Sequence, residues 1–98
     1  MAIFQPDIPP HVAEIIRHLP PDVKRSIRQA LRALSVTPEV GEPLRGELQG
    51  LWKYRVRRFR IVYAIDRAHQ IIRIVAVGHR RGIYEEVTEQ LRRTESSC

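Results

Sequence analysis

Ninety-eight residues with 43% apolar side chains make one modest domain whose core needs no staples. No apolar run approaches the roughly 20 residues that span a bilayer, and the N-terminus lacks a charged region ahead of an apolar one. The single cysteine, Cys98, is the last residue and has no internal partner. These features predict a cytoplasmic protein in a reducing compartment, with no role at a membrane.

The net charge of +6 is unevenly spread. Residues 1–50 balance six basic against six acidic side chains, whereas residues 51–98 set eleven basic against five acidic. Between Lys53 and Arg60 there are five basic residues in eight and no acid. Such a one-sided patch attracts polyanions: nucleic acid, or an acidic protein. A merely solvated strand face is the plainer reading, but like charges at successive same-face positions repel.

In chain order, Ala2–Gln5 reads as a brief edge strand. Pro10 suits a first helical turn, and Val12, Ile15, Ile16 and Leu19 recur as one apolar helical stripe. Leu19–Asp22 ends that helix and starts the next, with Asp22 near the positive end of the dipole. Val23, Ile27, Ala30, Leu31 and Leu34 give the second helix its apolar face, while Lys24, Arg25, Arg28 and Arg32 lie mostly opposite. A two-helix hairpin is expected.

Pro38, Gly41 and Pro43 break any period between Ser35 and Pro43. Leu44–Gly50 reads as a turn-rich approach, with at most a one-bridge strand. Leu51–Arg57 alternates Trp52, Tyr54 and Val56 against Lys53, Arg55 and Arg57. Phe59–Asp66 alternates Ile61, Tyr63 and Ile65 against Arg60, Val62 and Ala64. Arg57-Arg58 lacks the Gly or Asn of a type I′ turn, so a looser or bulged connection is expected. Ile71–Val77 reads as a strand buried on both faces. A polar helix over residues 85–93 and a disordered tail over 94–98 complete the chain, giving a single domain over residues 1–93.

The fold class expected is α+β: an N-terminal helical hairpin packed on a small antiparallel sheet, with a short C-terminal helix. The aromatic and aliphatic sheet face meets the helices. The other face carries Lys53, Arg55 and Arg60, open to a ligand.

The sequence has no Gly-rich phosphate loop, no CxxC and no HExxH. His11, His18, His69 and His79 are not at metal-ligand spacing, so no metal or other cofactor is expected. What remains is a set of cations and a phenol: Lys53, Arg55 and Arg60 on two paired strands, with Arg80 and Tyr84 after the third. Cleaving RNA requires a base for the ribose 2′-OH, fixed cations for the phosphorane and a proton for the departing 5′-oxygen. Arginine suits the second task. Lysine and tyrosine are tunable by neighbouring cations and suit the others, and His79 is the rival general acid. The plainer readings are that the cations only hold phosphates, that Tyr84 packs, and that His79 is a loop residue. Trp52 and Tyr63 read as core.

LRGELQGLWKYRVRRFRIVY (residues 44–63) and IVAVGHRRGIYEEV (residues 74–87), after a two-helix start, resemble the RelE/ParE superfamily of toxins from bacterial type II toxin–antitoxin systems. The RelE-like branch, which the resemblance favours, implies a metal-independent, ribosome-dependent mRNA endoribonuclease that inhibits translation. The ParE-like alternative implies a DNA gyrase inhibitor, and a third possibility is a silent, antitoxin-binding corepressor. Carried over, the catalytic set falls on Lys53, Arg55, Arg60, Arg80 and Tyr84. Arg55 stands where the RelE type has a lysine, which leaves Lys53 or Tyr84 as the base. Arg57, Arg58, His79 and Arg81 are expected to bind RNA. The partners implied are a cognate antitoxin, the ribosome and mRNA, and operator DNA for the toxin–antitoxin complex.

Overall fold

The computed structural model describes residues 3–79 together with residues 87 and 88. Its elements are β1 (Gln5–Asp7), α1 (Pro10–Arg17), α2 (Pro21–Val36), β2 (Glu42–Pro43), β3 (Trp52–Val56), β4 (Phe59–Asp66) and β5 (Ile71–His79). Short 3₁₀ turns at Pro38–Val40 and Gly46–Leu48 flank β2. The five strands form one sheet in the order β1-β5-β4-β3-β2.

The sheet is mixed, not purely antiparallel. β1 lies parallel to β5, with Gln5 opposite Ile71, while the other three pairings are antiparallel. The edge strand sits later than the sequence pattern places it, at Gln5–Asp7. The apolar residues Ile3 and Phe4 precede it, so alternation gives no guide. Pro6 and Pro43 lie in the two outermost strands, where a missing backbone donor costs little and discourages further pairing.

Both helices start with proline at the first helical position, where the absent N–H would have no intrahelical partner. α2 buries Ile27, Ala30, Leu31 and Leu34 as its period requires. α1 buries Val12 and tucks Ile16 against the core, with Leu19 packed there just beyond its end, but Ile15 is 42% exposed and leaves the expected stripe. The helices pack on Val56, Ile61, Tyr63, Ile72, Ile74 and Val77, with Trp52, Tyr54, Phe59 and Ile65 around them. Each large aliphatic fully buried here contributes about 1.5–3 kcal/mol.

β5 does not alternate strictly. Tyr63 is opposite Ile74 and Val62 is opposite Ala76, so Val75 has no partner across the ladder. This bulge places Val75 and Ala76 against the second cluster and returns Val77 to the helical side. It explains why an unbroken apolar run serves both faces. The phase change carries on to the end of β5: Gly78 pairs with Arg60, and His79 with Phe59.

The second sheet face is not open throughout. Val62, Ala76 and Val87 form a small buried cluster, covered by Leu44, Leu48, Leu51 and Val75. The approach segment thus folds over the sheet, using leucines at i, i+4 and i+7 that the surrounding glycines disguise as turn residues. Its bridge to the sheet, Glu42–Pro43, comes earlier than expected. Gly50, at φ 97°, lets this segment turn into β3. Of the expected C-terminal helix, residues 87 and 88 are helical and Val87 is fully buried. The rest of that helix and the tail over 94–98 lie outside the described residues.

Candidate nucleic-acid interface

β3 and β4 run antiparallel in a register that sets Arg55 opposite Arg60 and Lys53 opposite Val62. One ladder further, β2 sets Glu42 opposite Lys53. Alternation along β3 and β4 therefore brings Lys53, Arg55 and Arg60 to one face. Together with Glu42 they line a cleft of about 160 Å³. Arg55 is exposed and Arg60 half-buried.

Directly opposed like charges destabilise a strand pair. Neither Arg55 nor Arg60 has an acidic partner among the described residues that would offset the repulsion. The Arg55 Nε donates to the Arg57 carbonyl at 3.3 Å, which holds its guanidinium stem toward the hairpin tip. Lys53 is the one cation of the three with a counter-ion among the described residues: its Nζ lies 3.6 Å from Glu42 Oε2. Across the ladder from Arg60, Gly78 adds no side chain to the space beside the guanidinium.

Glu42 is the cleft residue that sequence reasoning missed. It lies eleven positions before Lys53 in a proline-broken stretch, and only the two-residue β2–β3 pairing brings it there. Gly41 fixes that pairing. A Cβ at residue 41 would collide with the Lys53 carbonyl and the Tyr63 hydroxyl. Tyr63 is fully buried, and its hydroxyl donates to the Pro38 carbonyl at 2.7 Å. Burial pushes its phenol up to about 12, partly countered by a backbone hydrogen bond from Gly41. Trp52 stacks on it with ring centroids 6.4 Å apart, so both serve the core as expected.

The remaining candidates separate. The β3–β4 connection is a tight two-residue turn between the paired residues Val56 and Phe59, not a loose one. Arg57 alone of the two takes a positive φ, 56°, which is the sign pattern of a II′ rather than a I′ turn. Its guanidinium turns to α2 and pairs with Asp22 Oδ2 at 3.0 Å. Arg58 is exposed at the tip. His79 stands in the Phe59 row, with the two rings 4.7 Å apart, one row beyond the pairing of Arg60 with Gly78. Arg80, Arg81 and Tyr84 lie outside the described residues. The described structure therefore brings together Lys53, Arg55 and Arg60 and directs Arg57 elsewhere.

A model of the ParE toxin of the type II toxin–antitoxin system parDE matches residues 7–84. The chain belongs to this toxin family. Among named relatives, toxin RelG of Mycobacterium tuberculosis (strain ATCC 25618 / H37Rv) is 38% identical over 71 residues, covering 70% of this chain and 82% of its own length. Toxin RelE of the same organism is 40% identical over 45 residues, 46% of each chain. The toxin–antitoxin complex RelBE2 of M. tuberculosis includes a chain that superposes with a TM-score of 0.73 at 30% identity, covering 80% of this chain and 99% of that one. A double mutant of E. coli toxin RelE in the free state superposes at 0.75 with 22% identity, over 92% and 98% of the two chains, and shows the shared fold. The named relatives place this toxin on the RelE-like branch.

Proposed function

We propose that this toxin inhibits translation as a metal-independent, ribosome-dependent mRNA endoribonuclease, with the cleft as its phosphate site. The observation that carries the reading is the opposition of Arg55 and Arg60 beside Lys53 in one cleft. That arrangement costs the fold stability and suits a bound polyanion.

In the reaction, the 2′-OH loses its proton to a base and its oxygen attacks the adjacent phosphorus. The P–O5′ bond breaks and O5′ takes up a proton, leaving a 2′,3′-cyclic phosphate and a 5′-hydroxyl. Arg55 and Arg60 would hold the non-bridging oxygens as negative charge builds. Lys53 or Tyr84 would take the first proton, and Arg80 would add charge at the phosphate. Arg58, Arg81 and His79 would bind flanking RNA. Arg57, tied to Asp22, would act there only if that pair opens. Bringing the scissile bond into line is a task the lone domain shares with whatever presents the strand, which fits a need for the ribosome.

A cognate antitoxin is the expected protein partner, and operator DNA the expected target of their complex. Relatives of this chain have been solved as RelBE complexes, which supports that reading. The test is a translation extract in which the 5′ ends of mRNA are mapped. New 5′ ends that disappear in Arg60→Ala, Arg80→Ala and Tyr84→Phe support the reading. Intact mRNA together with arrested supercoiling by purified gyrase would replace it with the gyrase reading.

A further inference from the structure

On the far side of the sheet from the cleft, α2 carries a second concentration of positive charge. Arg25, Arg28 and Arg32 are exposed, Lys24 is half-buried, and spacing by three and four residues puts the arginines on one helical line. The line runs about 10 Å along the helix axis. The helix has one acid, Asp22, and Arg57 already occupies it at 3.0 Å. Among the described residues, none of the three arginines has an acidic partner.

The fold gains nothing from this arrangement. Lys24 with Arg28, Arg25 with Arg28, and Arg28 with Arg32 are like-charge pairs at i, i+3 or i, i+4, each costing about 0.2–0.5 kcal/mol. Lys24 and Arg25 lie toward the positive end of the helix dipole, and no basic residue sits in the last turn where it would help. The arginines do not cover the core, which Ile27, Ala30, Leu31 and Leu34 already seal. A protein-binding surface would be expected to offer apolar or aromatic anchors amid its charges. Between Arg25 and Arg32 the exposed line offers only Gln29, a hydrogen-bonding side chain that suits ribose hydroxyls, and a single large apolar side chain, Val36 at 62% exposure, closes the line one turn beyond Arg32.

We propose that the arginine line of α2 is a second polyanion site, which takes the phosphate backbone of duplex RNA. It recognises backbone shape and charge rather than sequence. It adds to the cleavage reading but stands on α2 rather than on the strands of the cleft, and the two surfaces meet at one edge, where Gln29 and Arg55 line a common pocket. A single strand in the cleft and folded RNA on α2 are then held at once, on surfaces that adjoin at Arg55. This supplies the orientation that the cleft alone lacks.

The test uses the full chain and a labelled RNA duplex of about 16 base pairs, titrated at several salt concentrations. The triple variant Arg25→Gln/Arg28→Gln/Arg32→Gln is expected to bind about tenfold or more weakly, with the slope of log affinity against log salt reduced by about 2–3. Arg67→Gln, whose guanidinium pairs with Glu39 at 3.1 Å, is the control and is expected to change neither. Circular dichroism is expected to show unchanged helix content, and the single variant Arg28→Gln gives the same reading should the triple variant fold poorly. Unchanged duplex affinity and slope would overturn the proposal. So would loss confined to binding of a poly-glutamate peptide, which would make the line a protein site. Duplex binding that depends on the stripe in a toxin that cuts no mRNA would sink the cleavage reading and leave this one standing.

Discussion

Arg55 and Arg60 are cross-strand partners, two guanidinium side chains at directly opposed positions of β3 and β4. Opposed like charges cost a strand pair of the order of 0.2–1 kcal/mol. Arg60→Met keeps an unbranched side chain of similar reach and removes the repulsion. It is expected to raise the urea midpoint slightly while cutting the cleavage rate by about 10²–10³, the scale for losing one charge-stabilising donor. A gain in stability with undiminished cleavage would separate the pair from the chemistry.

That pair was legible in the sequence because strand alternation needs only a parity and a turn position. Lys53, Arg55 and Arg60 follow from it directly. Arg57 does not, because parity holds only while φ stays extended, and a φ of 56° sends that guanidinium to Asp22. Glu42 was hidden for another reason: a two-residue strand has no period to detect. The same limit shifted β1, read at Ala2–Gln5 and found at Gln5–Asp7, and hid its parallel pairing to β5, which joins Gln5 to Ile71 across most of the chain. The cover over Val62 was present as Leu44, Leu48 and Leu51, but glycines at 46 and 50 made the segment read as turn.

Arg57 carries backbone strain that glycine would not. A left-handed residue with a Cβ costs roughly 1–2 kcal/mol, and the exposed pair with Asp22 returns at most about 1 kcal/mol. Relief of that strain is offset by the lost pair and by roughly 0.5–1 kcal/mol of added unfolded-state freedom, so Arg57→Gly is expected to leave stability within about 1 kcal/mol of the native chain rather than to destabilise it as loss of an arginine contact alone would. Chemical denaturation measures it. Asp22→Asn, which breaks the pair but keeps the strain, is expected to destabilise slightly and so fixes the sign of each contribution.

Asp66 organises the β4–β5 turn. Its carboxylate accepts from the His69 backbone N–H at 3.1 Å, meets the His69 ring at 3.0 Å and the Arg73 guanidinium at 3.3 Å. The hydrogen bonds from His69, with a smaller contribution from Arg73, hold its carboxyl below the usual aspartate value. A group lowered on folding lends stability that is present above its unfolded pKa, near roughly 3.9. That stability is lost as the pH falls through the lower folded value. Thermal melts from about pH 6 down to about pH 2 are expected to show a smaller acid-induced loss in Asp66→Asn than in the native chain.

Glu42 and a substrate phosphate compete for Lys53. The carboxylate lies 3.6 Å from the ammonium and is itself largely exposed, so the pair is weak and displaceable. Glu42→Gln removes a negative charge from the cleft without changing its shape. Binding of a short single-stranded RNA is expected to tighten roughly two- to fivefold, the equivalent of an exposed ion pair no longer broken on binding. Fluorescence anisotropy measures this directly. Weaker binding would mean that the carboxylate instead positions Lys53 for the phosphate.

Tyr63 links the core to the cleft through Gly41, and its titration reports on that link. The folded protein keeps the phenol proton to about 12, whereas an unfolded chain releases it near 10. A pKa raised on folding gives stability that is complete below the unfolded value and lost as the pH rises through the folded one. Stability is thus expected to be flat up to about pH 10 and then to fall by about 2–3 kcal/mol by about pH 12, as order-of-magnitude linkage requires. Tyr63→Phe removes the titration but leaves the Pro38 carbonyl without its donor, a cost of about 1–3 kcal/mol at neutral pH. Its melting temperature is therefore expected to be lower at neutral pH and less sensitive between about pH 10 and about pH 12. Gly41→Ala, which drives a methyl group into the Tyr63 hydroxyl and the Lys53 carbonyl, is expected to destabilise and to weaken RNA binding together, because the same backbone carries Lys53 into the cleft. If Gly41→Ala lowered stability yet left RNA affinity intact, the cleft would not depend on this packing.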